Sequence, residues 1–243
     1  KPIWNLDIPP YKVEPWQPRT PKVILEDPLK IFHAISESDI LVHHPYDSFS
    51  STVENFIRTA SEDPQVIGIK ITLYRTDEGS RLMRALMRAA EAGKQVVCLI
   101  EVKARFDEAR NITWAQALED SGVHIVYGIV GLKTHCKVAL VVRQEKSGIK
   151  SYAHIGTGNY NAQTANLYTD LGLFTAKKEI TSELIELFHH LTGRSQKREY
   201  PNLLVAPTNM KKHFLDLIAK EEDNAKKGLP ARLNANWNGL EAK

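Results

Sequence analysis

The sequence predicts an α/β fold: a mixed, mostly parallel sheet flanked by helices. Runs with strand-like and helix-like spacing alternate along the chain, the pattern of strands joined by helical crossovers. One run, "QVVCLIEVKAR" (95–105), is apolar almost throughout, as a strand is when both its faces are covered. Another pair of runs meets at "EKSGIK" (145–150), a hairpin signal that adds antiparallel strands.

The elements follow in order. "KPIWNLDIPPYKVEPWQPRTPK" (1–22) carries six prolines and is expected to be extended, a linker or an arm laid across the domain. "DPLKIFHAIS" reads as a helix with Asp27 at the N-cap and Pro28 at the first helical position. Strand 39–44, helix 47–63 and strand 66–75 come next. Helix 79–94 is closed by Gly93 and leads into strand 95–105. Helix 111–122, strand 123–129 and the run 131–144 follow, then strands 151–156 and 168–176. Helix 179–191, a short strand 202–206 and a helix at roughly 208–227 complete the pattern. "GLPARLNANWNGLEAK" breaks at Gly228 and Pro230, then reads as a new start. The expected organisation is an arm over 1–22, a folded domain over 23–228 and the truncated start of a following domain over 229–243. On this reading the chain is an internal piece of a larger protein.

With 243 residues the chain can bury a full core as one or two domains. The formal net charge of +3 excludes a surface that coats polyanions generally, so any anion site must be local. Cys98 and Cys136 sit in apolar runs and are expected to be buried thiols of a reducing compartment. No run reaches the ~18 apolar residues of a membrane span and no signal peptide opens the chain. A cytoplasmic protein is expected, with peripheral attachment at the inner membrane face left open.

The chemistry concentrates at strand ends. "GLKTHCKVALVVRQ" (131–144) is an apolar run with His135 and Lys137 at its entrance. Strand alternation would aim both to one face and Cys136 to the other. Arg75 ends one strand and Arg105 the next; "GTGN" (156–159) leaves a fourth; Tyr168 and Asp170 alternate onto one face of a fifth. Ligands of such sheets bind beyond strand ends, and cations beside a Gly-rich turn suit phosphates. Each residue also has an ordinary reading. Arg75 can pair with Asp77 or Glu78, and Arg105 with Asp107 or Glu108. "GTGN" can be a tight turn using positive φ, Tyr168 a core ring, Asp170 a solvated strand residue, and a lone His-x-Lys a surface pair. The other histidines read as structural or surface residues.

Order and spacing together carry more. "ITLYR", "EVKARFDEARNI", "GLKTHCKVAL" and "YAHIGTGNYNAQTANLYTDLGLFT" resemble the first C-terminal catalytic domain of bacterial polyphosphate kinase, of the phospholipase-D-like class. The resemblance covers about residues 1–240 and implies that 23–228 is a phospholipase-D-like catalytic half. It implies reversible transfer of the terminal phosphate of ATP to polyphosphate through a phosphohistidine. ATP or ADP and polyphosphate are then substrates, Mg²⁺ the cofactor, and the enzyme's other domains the partners. A homo-oligomer without nucleic acid is expected.

Residue by residue, the resemblance makes His135 the phosphorylated histidine, with Lys137 beside it in His-x-Lys. It sets Arg75 and Arg105 at the phosphates and magnesium, and Tyr168 at the nucleotide. Thr157 and Asn159 stand in the Gly-Ser/Thr-x-Asn element. Arginine has no lone pair to offer Mg²⁺, so phosphates and water must hold the ion. Asp170, on the face given to Tyr168, is a candidate to orient an imidazole. The wider phospholipase-D pattern wants Asp where this chain has Val142, which speaks against phosphodiester cleavage. A phosphodiesterase working as a dimer and a non-catalytic polyphosphate- or nucleotide-binding module remain alternatives. With one His-x-Lys half, the fragment is expected to fold yet be nearly inactive alone.

Overall fold

The computed structural model describes residues 16–27, 30–73, 80–101, 108–128, 131–193 and 199–234, with backbone alone at 108–112. The chain divides into two compact units, residues 1–194 and 195–243. The expected half-domain, 23–228, therefore spans parts of both.

Among the described residues, the first unit is built on seven strands: β1 (Ile40–His44), β2 (Val66–Leu73), β3 (Gln95–Ile100), β4 (His124–Val126), β5 (Lys137–Glu145), β6 (Gly148–Gly156) and β7 (Asp170–Thr175). Its helices are α1 (Lys22–Leu25), α2 (Ile31–Glu37), α3 (Asn55–Glu62), α4 (Arg81–Glu91), α5 (Glu108–Asp120), α6 (Ala162–Ala165) and α7 (Lys178–Leu191). The sheet order is β1-β7-β6-β5-β2-β3-β4. β2, β3 and β4 are parallel, as the intervening α4 and α5 require. The other four of the six pairings are antiparallel. The sheet is therefore mixed, not mostly parallel by its pairings. The cause lies after β4, where the chain gives up helical crossovers for strands that reverse, as at the Gly148 turn (φ +119°).

These directions have one consequence for chemistry. β1, β2, β3, β4 and β6 all run toward the same sheet edge, and β5 and β7 start there. Five strand ends and two strand beginnings thus share one rim.

Packing follows the apolar spacing. α4 buries Leu82, Met83, Ala85, Leu86 and Ala89, and α3 buries Phe56, Ile57 and Ala60. Val138–Val141 of β5 are buried on both faces at the sheet centre. Phe56 joins Phe32 and Phe174 edge-on, at centroid distances of 5.6 and 5.4 Å. Burying each such ring stabilises by about 1.5–3 kcal/mol.

Several boundaries differ from expectation. α2 begins at Ile31; Asp27 instead accepts the Lys30 N–H through its carbonyl (3.0 Å), and Pro28 lies outside the described residues. Helix 47–63 enters through a wider π-type turn, Ser50–Glu54, where Glu54 N–H reaches the Phe49 carbonyl (3.1 Å). Cys98 is buried and its thiol pKa is pushed up by desolvation, but Cys136 is exposed. Its run becomes sheet only at Lys137. The described end of the proline-rich segment lies along residues 46–48: Arg19 N–H donates to the Tyr46 carbonyl (2.9 Å) and Arg19 Nε meets Asp47 Oδ1 (3.1 Å).

In the second unit, α8 (Met210–Lys226) is the expected last helix. Residues 202–206 form no strand. Asn209 organises them: its Oδ1 accepts from Val205 N (2.7 Å) and its Nδ2 donates to the Tyr200 (2.9 Å) and Leu203 (3.0 Å) carbonyls. Side-chain bonds of this kind compete with strand pairing. No described helix is long and apolar enough to cross a membrane.

Gly172 of β7 offers a direct check on the packing. A Cβ there would meet His154 Nε2 at 2.6 Å and Val42 Cγ2 at 3.0 Å. Gly172→Ala should destabilise the domain by about 1–3 kcal/mol through overpacking, read as a lower urea midpoint. An unchanged midpoint would contradict this packing.

Candidate active site

The rim is organised around the entry to β5. Backbone pairing of β2 with β5 ends at Ile71 and Ala139. Beyond it, Thr72 Oγ1 accepts from Val138 N (3.1 Å) and donates to the Cys136 carbonyl (2.8 Å). One hydroxyl replaces two backbone partners and lets the chain peel away. Glu101, just past β3, accepts from Thr134 N through Oε2 (2.9 Å) and holds the preceding loop.

His135 therefore lies before the strand, and strand alternation does not align it with Lys137. The lysine side chain folds back instead. Its Nζ lies 3.1 Å from His135 Nδ1 and donates to the His135 carbonyl (2.6 Å). Lys137 is 6% exposed and its pKa is lowered, chiefly by desolvation. His135 is exposed at the rim. Partial desolvation, then the charges of Lys137 and Lys133, hold its pKa below the ordinary imidazole value. The ring is neutral near pH 7, the form that can act as a nucleophile.

The facing wall comes from β6 and β7. Register sets Lys137 opposite Gly156, and Gly156 opposite Gly172. Thr157 Oγ1 donates to Asp170 Oδ1 (2.8 Å) and accepts from Leu171 N (3.0 Å). Gly156 and Gly158 do not use positive φ, contrary to the tight-turn reading. They are needed for space: a Cβ on Gly158 would overlap the Asp170 carboxyl group, and one on Gly156 would meet His154 Cε1 at 3.0 Å. Asp170 is close enough to Lys137 to favour its charged form. Tyr168 precedes β7 and does not share a strand face with Asp170; its ring is 64% exposed. Arg75 and Arg105 lie outside the described residues, though β2 and β3, which they follow, end at this rim.

Sequence reasoning missed Thr72 and Glu101. The available signal was a polar residue in, or closing, an apolar run. It also passed over His44 and His154, both buried near the rim. Among the described residues, no group of three His, Cys, Asp or Glu side chains could hold a metal ion.

Comparison with known proteins agrees with this architecture. The family model described as polyphosphate kinase C-terminal domain 1 matches residues 30–197. The polyphosphate kinase of Mycolicibacterium gilvum is 52% identical over 240 residues, covering 98% of this chain and 33% of that protein. That of Thermosynechococcus vestitus is 56% identical over 211 residues, covering 87% and 29%. The crystal structure of polyphosphate kinase from Porphyromonas gingivalis superposes with a TM-score of 0.80 at 34% identity, over 94% of this chain and 37% of that one. The chain spans about a third of the length of these relatives. By the extent of the family match and the shared fold, this chain belongs to the polyphosphate kinase C-terminal domain 1 family.

Proposed function

We propose that this chain supplies the nucleophile and part of the phosphate site of an enzyme that moves the terminal phosphate of ATP reversibly onto polyphosphate. The observation that carries this reading is the neutral His135 ring at the rim with the Lys137 ammonium against it. The first step forms a bond from an imidazole nitrogen to the terminal phosphorus and breaks the bond to the bridging oxygen. ADP leaves with the electron pair. In the second step a terminal polyphosphate oxygen attacks the same phosphorus and the N–P bond breaks. The other ring nitrogen keeps its proton throughout, so the ring is cationic only while phosphorylated and leaves readily. The acceptor oxygen is already anionic and needs no general base. ADP as acceptor gives the reverse reaction.

The resting contact implies a second task for Lys137. As an ammonium it donates to His135 Nδ1 and covers that lone pair. Phosphate oxygens are better acceptors for it. Their arrival draws the ammonium away and neutralises charge where it builds up. Arg75 and Arg105, following β2 and β3, would add planar forks to the same oxygens. Tyr168, exposed beside β7, offers a ring to the nucleotide. Thr157 and Asn159 shape the turn, and Asp170 is held by Thr157. The described rim does not form a cage for magnesium: its carboxylates Glu101 and Asp170 already accept hydrogen bonds. Any magnesium would come with the phosphates and help to neutralise their charge. A cytoplasmic location and self-association of the whole enzyme belong to the same reading.

The phosphodiesterase alternative is disfavoured by position 142, where β5 presents a valine and no carboxylate.

In the full-length enzyme, incubation with labelled ATP should leave acid-labile phosphate on His135. His135→Ala should abolish both labelling and ATP–polyphosphate exchange; substantial exchange in that variant would overturn the assignment. Arg75→Ala and Arg105→Ala should each lower turnover by roughly 10²-fold, the scale of losing a transition-state charge donor, with folding intact. Unfolding of either variant would make that arginine structural.

Labelling should also report the lowered pKa of His135. Its acid limb should lie below pH ~6.5, since the neutral ring persists to lower pH than in a model peptide. Lys137→Met removes one of the charges that lowers this pKa, so the limb should move to higher pH. A limb that stays put or moves down would contradict the contact.

The isolated 243-residue chain should bind polyphosphate in a salt-sensitive manner with negligible turnover. Turnover like that of the full-length enzyme would show that this third suffices.

A further inference from the structure

Behind the Gly156–Asn159 turn lies a small cavity whose wall is part apolar, from Phe49, Val53 and Leu171, and part polar. Its polar lining includes His44, the last residue of β1, His154 of β6, Asn159 and Asp170. His44 and His154 are only 5% and 3% exposed. His44 Nε2, His154 Nε2 and Asn159 Oδ1 are all buried, and none hydrogen-bonds to any group among the described residues. Buried polar atoms are nearly always paired, so three of them at one cavity call for a common partner.

Neighbouring contacts decide which of the three donate. His44 Nδ1 lies 2.7 Å from the Asp47 carbonyl oxygen. A carbonyl only accepts, so Nδ1 carries a proton, and the neutral tautomer that this contact selects presents a lone pair at Nε2. Asn159 Oδ1 is also an acceptor. His154 Nδ1 lies 2.8 Å from the Tyr160 hydroxyl, while that hydroxyl is 3.5 Å from the His154 carbonyl. The shorter contact takes the hydroxyl proton, so Nδ1 accepts and Nε2 carries its own proton. Burial and nearby His44 hold the His154 pKa down to about 3, which keeps this ring neutral.

The residues around this space of about 10 Å³ thus carry two buried acceptors and one buried donor without partners among the described residues. That is room for one water, and the three groups match its two protons and one of its lone pairs. We propose that a single structural water donates to His44 Nε2 and Asn159 Oδ1 and accepts from His154 Nε2, making His44 a positioning residue for the phosphate site. The positioning role rests on the function proposed above; the water does not.

The geometry connects the cavity to the rim. Register sets His44 opposite Asp170 and Gly156 opposite Gly172. The water therefore ties the end of β1 to β6 and to Asn159. Asn159 closes the turn whose Thr157 holds Asp170. Space for the His154 ring is reserved by the missing side chains of Gly156 and Gly172.

Two experiments on the full-length enzyme decide the matter. A crystal structure fine enough to show waters should place one peak about 2.7–3.2 Å from all three atoms. A dry cavity, a direct bond between the two rings, or a metal at about 2.0–2.1 Å from both would overturn the proposal. The second experiment is a double-mutant cycle on the rate of His135 labelling. His44→Phe should slow labelling by about 10-fold in the wild-type background. In an Asn159→Leu background it should slow labelling by no more than about 2-fold, because the shared bridge is already gone. An equal loss in both backgrounds would mean that His44 acts without the water. If His44→Phe fails to fold, the wild-type density alone decides. If the wild-type enzyme takes no label, the functional reading fails while the water stands or falls by its density.

Discussion

Where β2 and β5 part company, the hydroxyl of Thr72 takes over from the backbone. His135 can reach the rim only if β5 begins late, yet a late start strands the N–H of Val138 and the carbonyl of Cys136. Thr72 Oγ1 bonds both. Leaving either buried and unpaired would cost about 1–3 kcal/mol, more than the ~0.5–1.5 kcal/mol that a hydrogen bond contributes net. Glu101 and Lys137 repeat the device, holding Thr134 N and the His135 carbonyl. Three side chains from three strand ends thus present one imidazole. Everything proposed for the chemistry depends on that presentation.

Topology explains why those side chains meet. Because β5 and β7 start where the other five strands end, residues far apart in sequence gather at one rim. Local charge then distinguishes this rim from the opposite edge of the sheet. A cleft of about 350 Å³ there includes Lys30, His33 and Arg143, but Arg143 is neutralised by Asp63 (2.8 Å) and Glu145 (2.9 Å). At the rim, Lys137 sits against a histidine, and its neighbouring carboxylate, Asp170, is engaged by Thr157. This contrast is why the rim, and not that cleft, is proposed as the phosphate seat.

Much of this was legible in the sequence, and the remainder has physical causes. The helix and strand alternation was readable because apolar spacing is set by burial, as in α4 and β3. His135 and Lys137 stood out because an imidazole and an ammonium are out of place at the mouth of an apolar run. Their contact was reached by the wrong route, since strand periodicity cannot foresee a lysine folding back. The sheet is mixed as expected, but its parallel share was overestimated because sequence shows strands and not which neighbours they choose. Gly158 was read as a conformational residue, although its role is to make room for the Asp170 carboxyl group. His44 and His154 looked ordinary because their distinction is an unsatisfied nitrogen, which only three dimensions reveal.

On the proposed mechanism, one rim of this sheet is the phosphate seat, with His135 at its centre. Tungstate mimics phosphate and scatters strongly enough to be located without ambiguity. In crystals of the full-length enzyme soaked with it, the anion should lie within hydrogen-bonding distance of His135 and Lys137, with the lysine drawn off the imidazole. Tungstate bound instead in the cleft beside Arg143, with the rim empty, would mean that the rim is not the phosphate seat.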